Sequence, residues 1–153
     1  RAGETIPVRN RTATRPWQHV LEPLGGYLWL AASLGMNTEA STPLDSAFNF
    51  GPDLTSNHSV ANLVDELTRD LGGKWQDLSD ESAPHEASKL NLATDKAYHL
   101  LDWRPTWGFE ESVAQTARWY LDEAKGLNVG DMTRSQISDY ESAAAEIKLS
   151  WAF

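Results

Sequence analysis

The sequence predicts a mixed α/β unit, mostly helical with a few short strands, and three observations carry that expectation. Val60, Leu63, Val64, Leu67 and Leu71 recur at helical spacing, with Ser59 before them as a cap and Gly72-Gly73 after them as a stop. Phe109, Val113, Thr116, Ala117, Tyr120 and Ala124 mark a second helix, whose first turn carries Glu110 and Glu111 at the positive end of its dipole. Between these patterns lie only brief β-type runs, bounded by glycine and proline.

Taken in order, Thr5 to Arg9 reads as a short edge strand, since Pro7 has no N–H to give to a central ladder. Ala13 to Gln18 reads as a loop. From about Glu22 to Leu34, Leu24, Tyr27, Leu28, Ala31 and Ala32 recur with helical spacing, and Pro23 falls in the first turn, where proline is tolerated. Trp29 and Leu30 widen the apolar surface, so this helix is expected to pack on two sides. Ser46 to Phe50 reads as a buried strand stopped by Gly51-Pro52, and the Ser59 helix follows.

Lys74 to Leu78 is a further short strand, and Ser79 to Glu86 an acidic loop. Leu90 and Leu92 suggest another strand, before a capped helix from Thr94 to Leu101 that ends at Trp103-Arg104-Pro105. Gly126 stops the Phe109 helix. Thr133-Arg134-Ser135-Gln136 has capping-box spacing for a last helix to about Leu149, with Ile137, Tyr140, Ala144 and Ile147 on one side. No repeat or linker divides the chain. Residues 1–142 are therefore one region, and residues 143–153 a C-terminal tail to which the sequence assigns no role.

Composition narrows the function classes. The 153 residues are 41% hydrophobic, ordinary for a globular protein, and no apolar run approaches the roughly 20 residues a membrane span requires. No membrane partner is expected. There is no cysteine, which removes disulfides and thiolate metal sites and is compatible with a cytoplasmic enzyme. The net charge of -9 argues against nucleic acid as a partner. Within residues 1–21, Arg1, Arg9, Arg11 and Arg15 stand against Glu4, a local +3, so the remainder carries -12. Basic charge at one end can hold a small anion such as a diphosphate, while the acidic remainder favours solubility.

Several residues invite chemistry. Arg15, in the run Thr14-Arg15-Pro16-Trp17-Gln18-His19, offers a planar fork of donors suited to phosphate oxygens. Gln18 can donate to or accept from a polar ligand, or serve a helix-entry or backbone contact. His19, His58 and His99 lack metal-ligand spacing, so no metal site is expected. The pairs Asp80-Glu81 and Glu110-Glu111 read as solvation and capping. Among the seven tryptophans, Trp103, Trp107 and Trp119 read as a packing cluster.

The run Ala13 to Leu24 with Gly26-Tyr27-Leu28, followed by Ala47-Phe48-Asn49-Phe50-Gly51-Pro52, Pro84-His85-Glu86-Ala87 and Leu101-Asp102-Trp103-Arg104-Pro105, resembles the CDP-glucose 4,6-dehydratases. These are a branch of the extended short-chain dehydrogenase/reductase family. The resemblance spans roughly Ile6 to Tyr140 and is carried most specifically by the first motif. It implies the C-terminal, substrate-binding part of such an enzyme, without the N-terminal Rossmann core. The glycine-rich NAD fingerprint and the Tyr-x-x-x-Lys pair of that family are both absent from this chain, and the start at Arg1 without methionine is what a partial chain would show.

By the same resemblance, Arg15 matches the arginine placed against the nucleotide diphosphate, and Gln18 and His85 are further substrate-binding candidates. The intact enzyme would use NAD to convert CDP-glucose to CDP-4-keto-6-deoxyglucose and water, in deoxysugar synthesis. The partners implied are CDP-glucose or a related nucleotide sugar and the missing cofactor-binding half. A homo-oligomer is a further expected state, through the helix and strand surfaces that half would cover. Alone, the chain is expected to bind NAD not at all and to be inactive. A non-catalytic nucleotide-sugar module, another NAD-dependent epimerase/dehydratase and an acidic helical interaction protein are the competing expectations.

Overall fold

In a computed structural model of the protein, residues 5–37, 43–80 and 90–153 are described. Ile6–Val8 (β1) pairs in parallel with Trp75–Asp77 (β4), Pro7 facing Gln76. Proline is accommodated because both strands of a two-stranded ribbon are edges. Both strands fall where the sequence placed them. The segment expected to be a loop around Arg15 contains a strand instead: Thr14–Pro16 (β2) runs antiparallel to Asn57–Ser59 (β3), with Arg15 opposite His58. Its partner lies far along the chain, so local sequence carries no trace of the pairing.

The first helix, α1, spans Leu21–Met36. It lacks a Ser, Thr, Asn or Asp cap. His19 takes that part, its ring Nδ1 accepting from the Leu21 N–H at 3.3 Å. The expected two-sided packing holds on one side only. Glu22 and Gly26 are buried and Trp29 and Leu30 lie on the core, whereas Leu24, Tyr27 and Leu28 are 46%, 57% and 73% exposed. Gly26 is required by close approach, because a Cβ there would lie 2.4 Å from the Phe50 ring.

The strand expected at Ser46–Phe50 does not form. A strand needs a ladder neighbour, and among the described residues no segment forms a ladder with it. Side chains anchor the segment instead. Phe50 is buried and meets Trp103 edge-on at 5.0 Å, and its carbonyl accepts from Gln18 Nε2 at 3.2 Å. Val60–Leu71 (α2) opens as expected at Ser59, which forms a reciprocal capping box with Asn62, and closes at Gly72, where φ is +70°.

The strand expected at Leu90 and Leu92 is also absent; both are exposed in an irregular segment. Asp95–Leu101 (α3) follows, although Thr94 makes no side-chain capping bond. Phe109–Ala124 (α4) matches its expected limits and stops before Gly126, at φ +82°. The last helix, α5, spans Val129–Glu146 and begins earlier than the Thr133 pattern indicated. Asn128 caps it, accepting from the Asp131 N–H at 3.1 Å, while the Thr133 hydroxyl accepts from Trp119 Nε1 at 3.1 Å.

Helix α2 packs along α4, α4 along α5, and α1 against α3. Residues 143–153, read from sequence as a tail without a role, continue α5 and then return to the core. Ala144 and Leu149 are completely buried, and the Trp151 ring stacks on Tyr140 at 5.5 Å. Trp103 and Trp107 are core residues, as expected. Trp119 lies apart from them, half-buried between α4 and α5.

Candidate functional site

Residues 14–28 join the β2–β3 ribbon to α1, and the side chains between Arg15 and Gly26 reach into several distant segments. Trp17 Nε1 donates to the His58 carbonyl at 2.9 Å, tying the chain after β2 to β3. Gln18 holds Phe50 through its amide NH2, and its Oε1 is buried without a hydrogen-bond partner among the described residues. The alternative backbone role for Gln18 is thus realised at one of its two polar atoms.

His19 is 4% exposed and packs edge-on against Trp107 at 5.0 Å. Burial holds its pKa below the ordinary histidine value. The neutral ring suits the local geometry, because Nδ1 can accept the Leu21 N–H only when it carries no proton.

The centre of this region is Glu22, which is fully buried. Its Oε1 accepts from the Trp107 N–H at 2.7 Å, and its Oε2 from the Thr106 N–H at 2.9 Å and the Tyr140 hydroxyl at 3.0 Å. One carboxylate therefore fastens α1 to the loop before α4 and to α5. Desolvation raises the Glu22 pKa, and the three donors and a repulsion from Asp53 modify that rise. Burial and the adjacent carboxylate push the Tyr140 phenol well above its usual range, so it remains a donor. Glu22 and Thr106 were not singled out from sequence, and Tyr140 was named only as part of one side of the last helix. An acid in a first helical turn ordinarily reads as dipole compensation in water, which is the wrong environment here.

Arg15 lies half-buried on β2 and donates from Nη1 to the Thr14 carbonyl at 2.8 Å. The neighbouring motif side chains brace the backbone on which this guanidinium is presented. Across the ribbon, the His58 ring is stacked on Phe109, with centroids 3.9 Å apart and planes 18° apart. His85 lies outside the described residues, so its relation to Arg15 and Gln18 is not part of this geometry.

Two surface clefts lie elsewhere. One, of about 350 Å³ between α4 and α5, is lined by Arg118, Trp119, Asp122, Asp131 and Asp139 among others. The second, of about 480 Å³, includes Glu111, Asp139 and Glu146. Neither includes Arg15 or Gln18. Their carboxylates would repel a phosphate, and Arg118 is already within 3.9 Å of Asp122 and 3.7 Å of Asp139. For an anionic ligand the β2–β3 ribbon is the better surface. No described helix is long and apolar enough to cross a membrane.

The chain is similar to part of a nucleotide-sugar dehydratase. Over 142 residues it is 36% identical to the CDP-glucose 4,6-dehydratase of Salmonella typhimurium, a span covering 92% of this chain and 38% of that protein. The chain thus spans well under half the length of this curated relative, consistent with a C-terminal part of it. No family model matches the chain.

Proposed function

We propose that this chain is the nucleotide-sugar-binding part of a CDP-glucose 4,6-dehydratase-like enzyme, with Arg15 as the ligand for the diphosphate and Gln18 and His85 as further substrate contacts. The observation that carries the reading is the 36% identity to a CDP-glucose 4,6-dehydratase over nearly the whole chain. The construction around Arg15 supports it. Trp17 and Gln18 are anchored on His58 and Phe50, and Glu22 locks the helix behind them, so the arginine is carried on a braced strand. Preorganisation of this kind lowers the ordering cost of binding.

In the intact enzyme the reaction would convert CDP-glucose to CDP-4-keto-6-deoxyglucose with loss of water, with NAD as the redox group. The described residues of this chain do not fit NAD. The one parallel pair among the described residues, β1–β4, is made of three-residue strands, and Gly25-Gly26 lie inside α1 and Gly72-Gly73 after α2, not in a strand-to-helix phosphate turn. No step through NAD is therefore assigned to these residues. The cofactor and the hydride chemistry belong in this reading to a separate half, and the chain alone is catalytically silent.

The test is calorimetric titration of the folded chain with CDP-glucose, with dTDP-glucose for comparison and circular dichroism as the control for folding. Saturable heat for CDP-glucose, weakened about ten- to a hundredfold in Arg15→Ala, is the expected result for a charge-assisted contact. Unchanged affinity in that variant would remove Arg15 from the site. Self-association without nucleotide affinity would favour an interaction protein, through the exposed Tyr27 and Leu28 of α1.

A further inference from the structure

We infer that His58 is a second ligand for the same diphosphate, held beside Arg15 by the β2–β3 ribbon; this rests on the reading of Arg15 given above. The register places Arg15 and His58 directly opposite each other on antiparallel strands. Residues so paired project from the same face, with Cβ atoms about 4.5–5.5 Å apart. Two nitrogen-bearing side chains, a permanently charged guanidinium and an imidazole, are thereby set at adjacent positions. For stability alone the position opposite an arginine would favour a carboxylate, since opposite charges across strands attract and like charges repel. A histidine there gives up that attraction and supplies a further donor.

The rest of the geometry fixes this imidazole in place. Its main-chain carbonyl is bound by Trp17 Nε1, and its ring lies parallel to Phe109, the first residue of α4. Stacking covers one ring face and leaves hydrogen bonding to the ring edge, where Nδ1 and Nε2 lie. His58 is half-buried, as is Arg15, so both combine a supported stem with partial exposure. The ligand chemistry that fits the pair is a diphosphate, whose several oxygens can take the arginine fork and an imidazole N–H together.

His58→Phe tests this, because phenylalanine keeps an aromatic ring against Phe109 and removes both nitrogens. Wild type, His58→Phe, Arg15→Ala and the double variant would each be titrated with CDP-glucose and with inorganic pyrophosphate, after circular dichroism shows the wild-type fold. His58→Phe is expected to weaken both ligands about ten- to a hundredfold, the range for a hydrogen bond to a charged group. The double variant should lose less than the product of the single losses, because the two side chains share one ligand.

CDP-glucose binding that His58→Phe leaves unchanged would overturn the role of His58 while the nucleotide-sugar reading stands. Pyrophosphate binding that depends on both residues, without CDP-glucose binding, would support the pair and overturn the nucleotide-sugar reading. Silence of folded wild type toward both ligands would overturn both. Should His58→Phe misfold, His58→Gln keeps a polar side chain of similar reach, and retention of more binding than in His58→Ala is the expected result; equal loss in the two would overturn the proposal.

Discussion

Removing the Glu22 carboxylate should destabilise the chain more than any other single change in the motif. Glu22→Ala strips the acceptor from the Thr106 and Trp107 N–H groups and from the Tyr140 hydroxyl. Two buried donors and one part-buried donor left unmade cost about 1–3 kcal/mol each, or roughly 3–9 kcal/mol together. Relief of a buried charge returns several kcal/mol. The expected net loss is about 2–4 kcal/mol, a large share of the roughly 5–15 kcal/mol that holds a domain together.

Glu22→Gln keeps the shape but sets an amide NH2 against one of the donors, for an expected loss of about 1–3 kcal/mol. Urea unfolding followed by tryptophan fluorescence measures both, since Trp107 sits on the carboxylate. Glu22→Ala within about 0.5 kcal/mol of wild type would refute the role of the carboxylate as a structural hub.

The pH dependence has a definite sign. Because the folded-state pKa of Glu22 is raised, the stability linked to its protonation is fully present below the ordinary glutamate value, about 4.3, and is lost as pH rises through the folded value. The stability difference between wild type and Glu22→Gln should therefore shift in favour of wild type on acidification; a difference independent of pH would contradict the raised pKa.

Gly26→Ala should cost about 1–3 kcal/mol by denaturation, because its Cβ would meet the Phe50 ring at 2.4 Å, while Gly35→Ala, in open space, should not destabilise. Leu149→Ala should cost about 2–5 kcal/mol, since Leu149 is completely buried despite its place at the C-terminal end. A loss below about 0.5 kcal/mol would show that the end is not part of the core. Asn128→Ala should cost about 1 kcal/mol, whereas a larger effect of Thr133→Ala on the start of α5, read by amide exchange, would restore the later cap.

How far the candidate site was legible follows the same division. Arg15 and Gln18 were visible as residue types able to meet a polar ligand, and Gln18 is found with one polar atom on Phe50. His58 was visible only as a histidine without metal spacing. Its position opposite Arg15 depends on a strand pairing across more than forty intervening positions, for which a three-residue strand carries no local pattern. Glu22 was visible only as the start of a helix, because composition cannot report burial. The strand assigned at Ser46–Phe50 failed for the complementary reason: its apolar alternation marks burial, and Phe50 is buried, but burial there comes from Gly26, Tyr27 and Trp103 without a ladder.

By itself the sequence determined that these helices exist, the cap at Ser59 and the stops at Gly72 and Gly126, because those signals act within a turn or two of backbone. Tertiary structure alone decided which face of α1 is covered, which residues stand opposite Arg15, and that Glu22 is enclosed by α4's preceding loop and α5. These depend on segments brought together across the chain. A carboxylate acquires its partners, and a strand its ladder, only when the rest of the fold has closed around them.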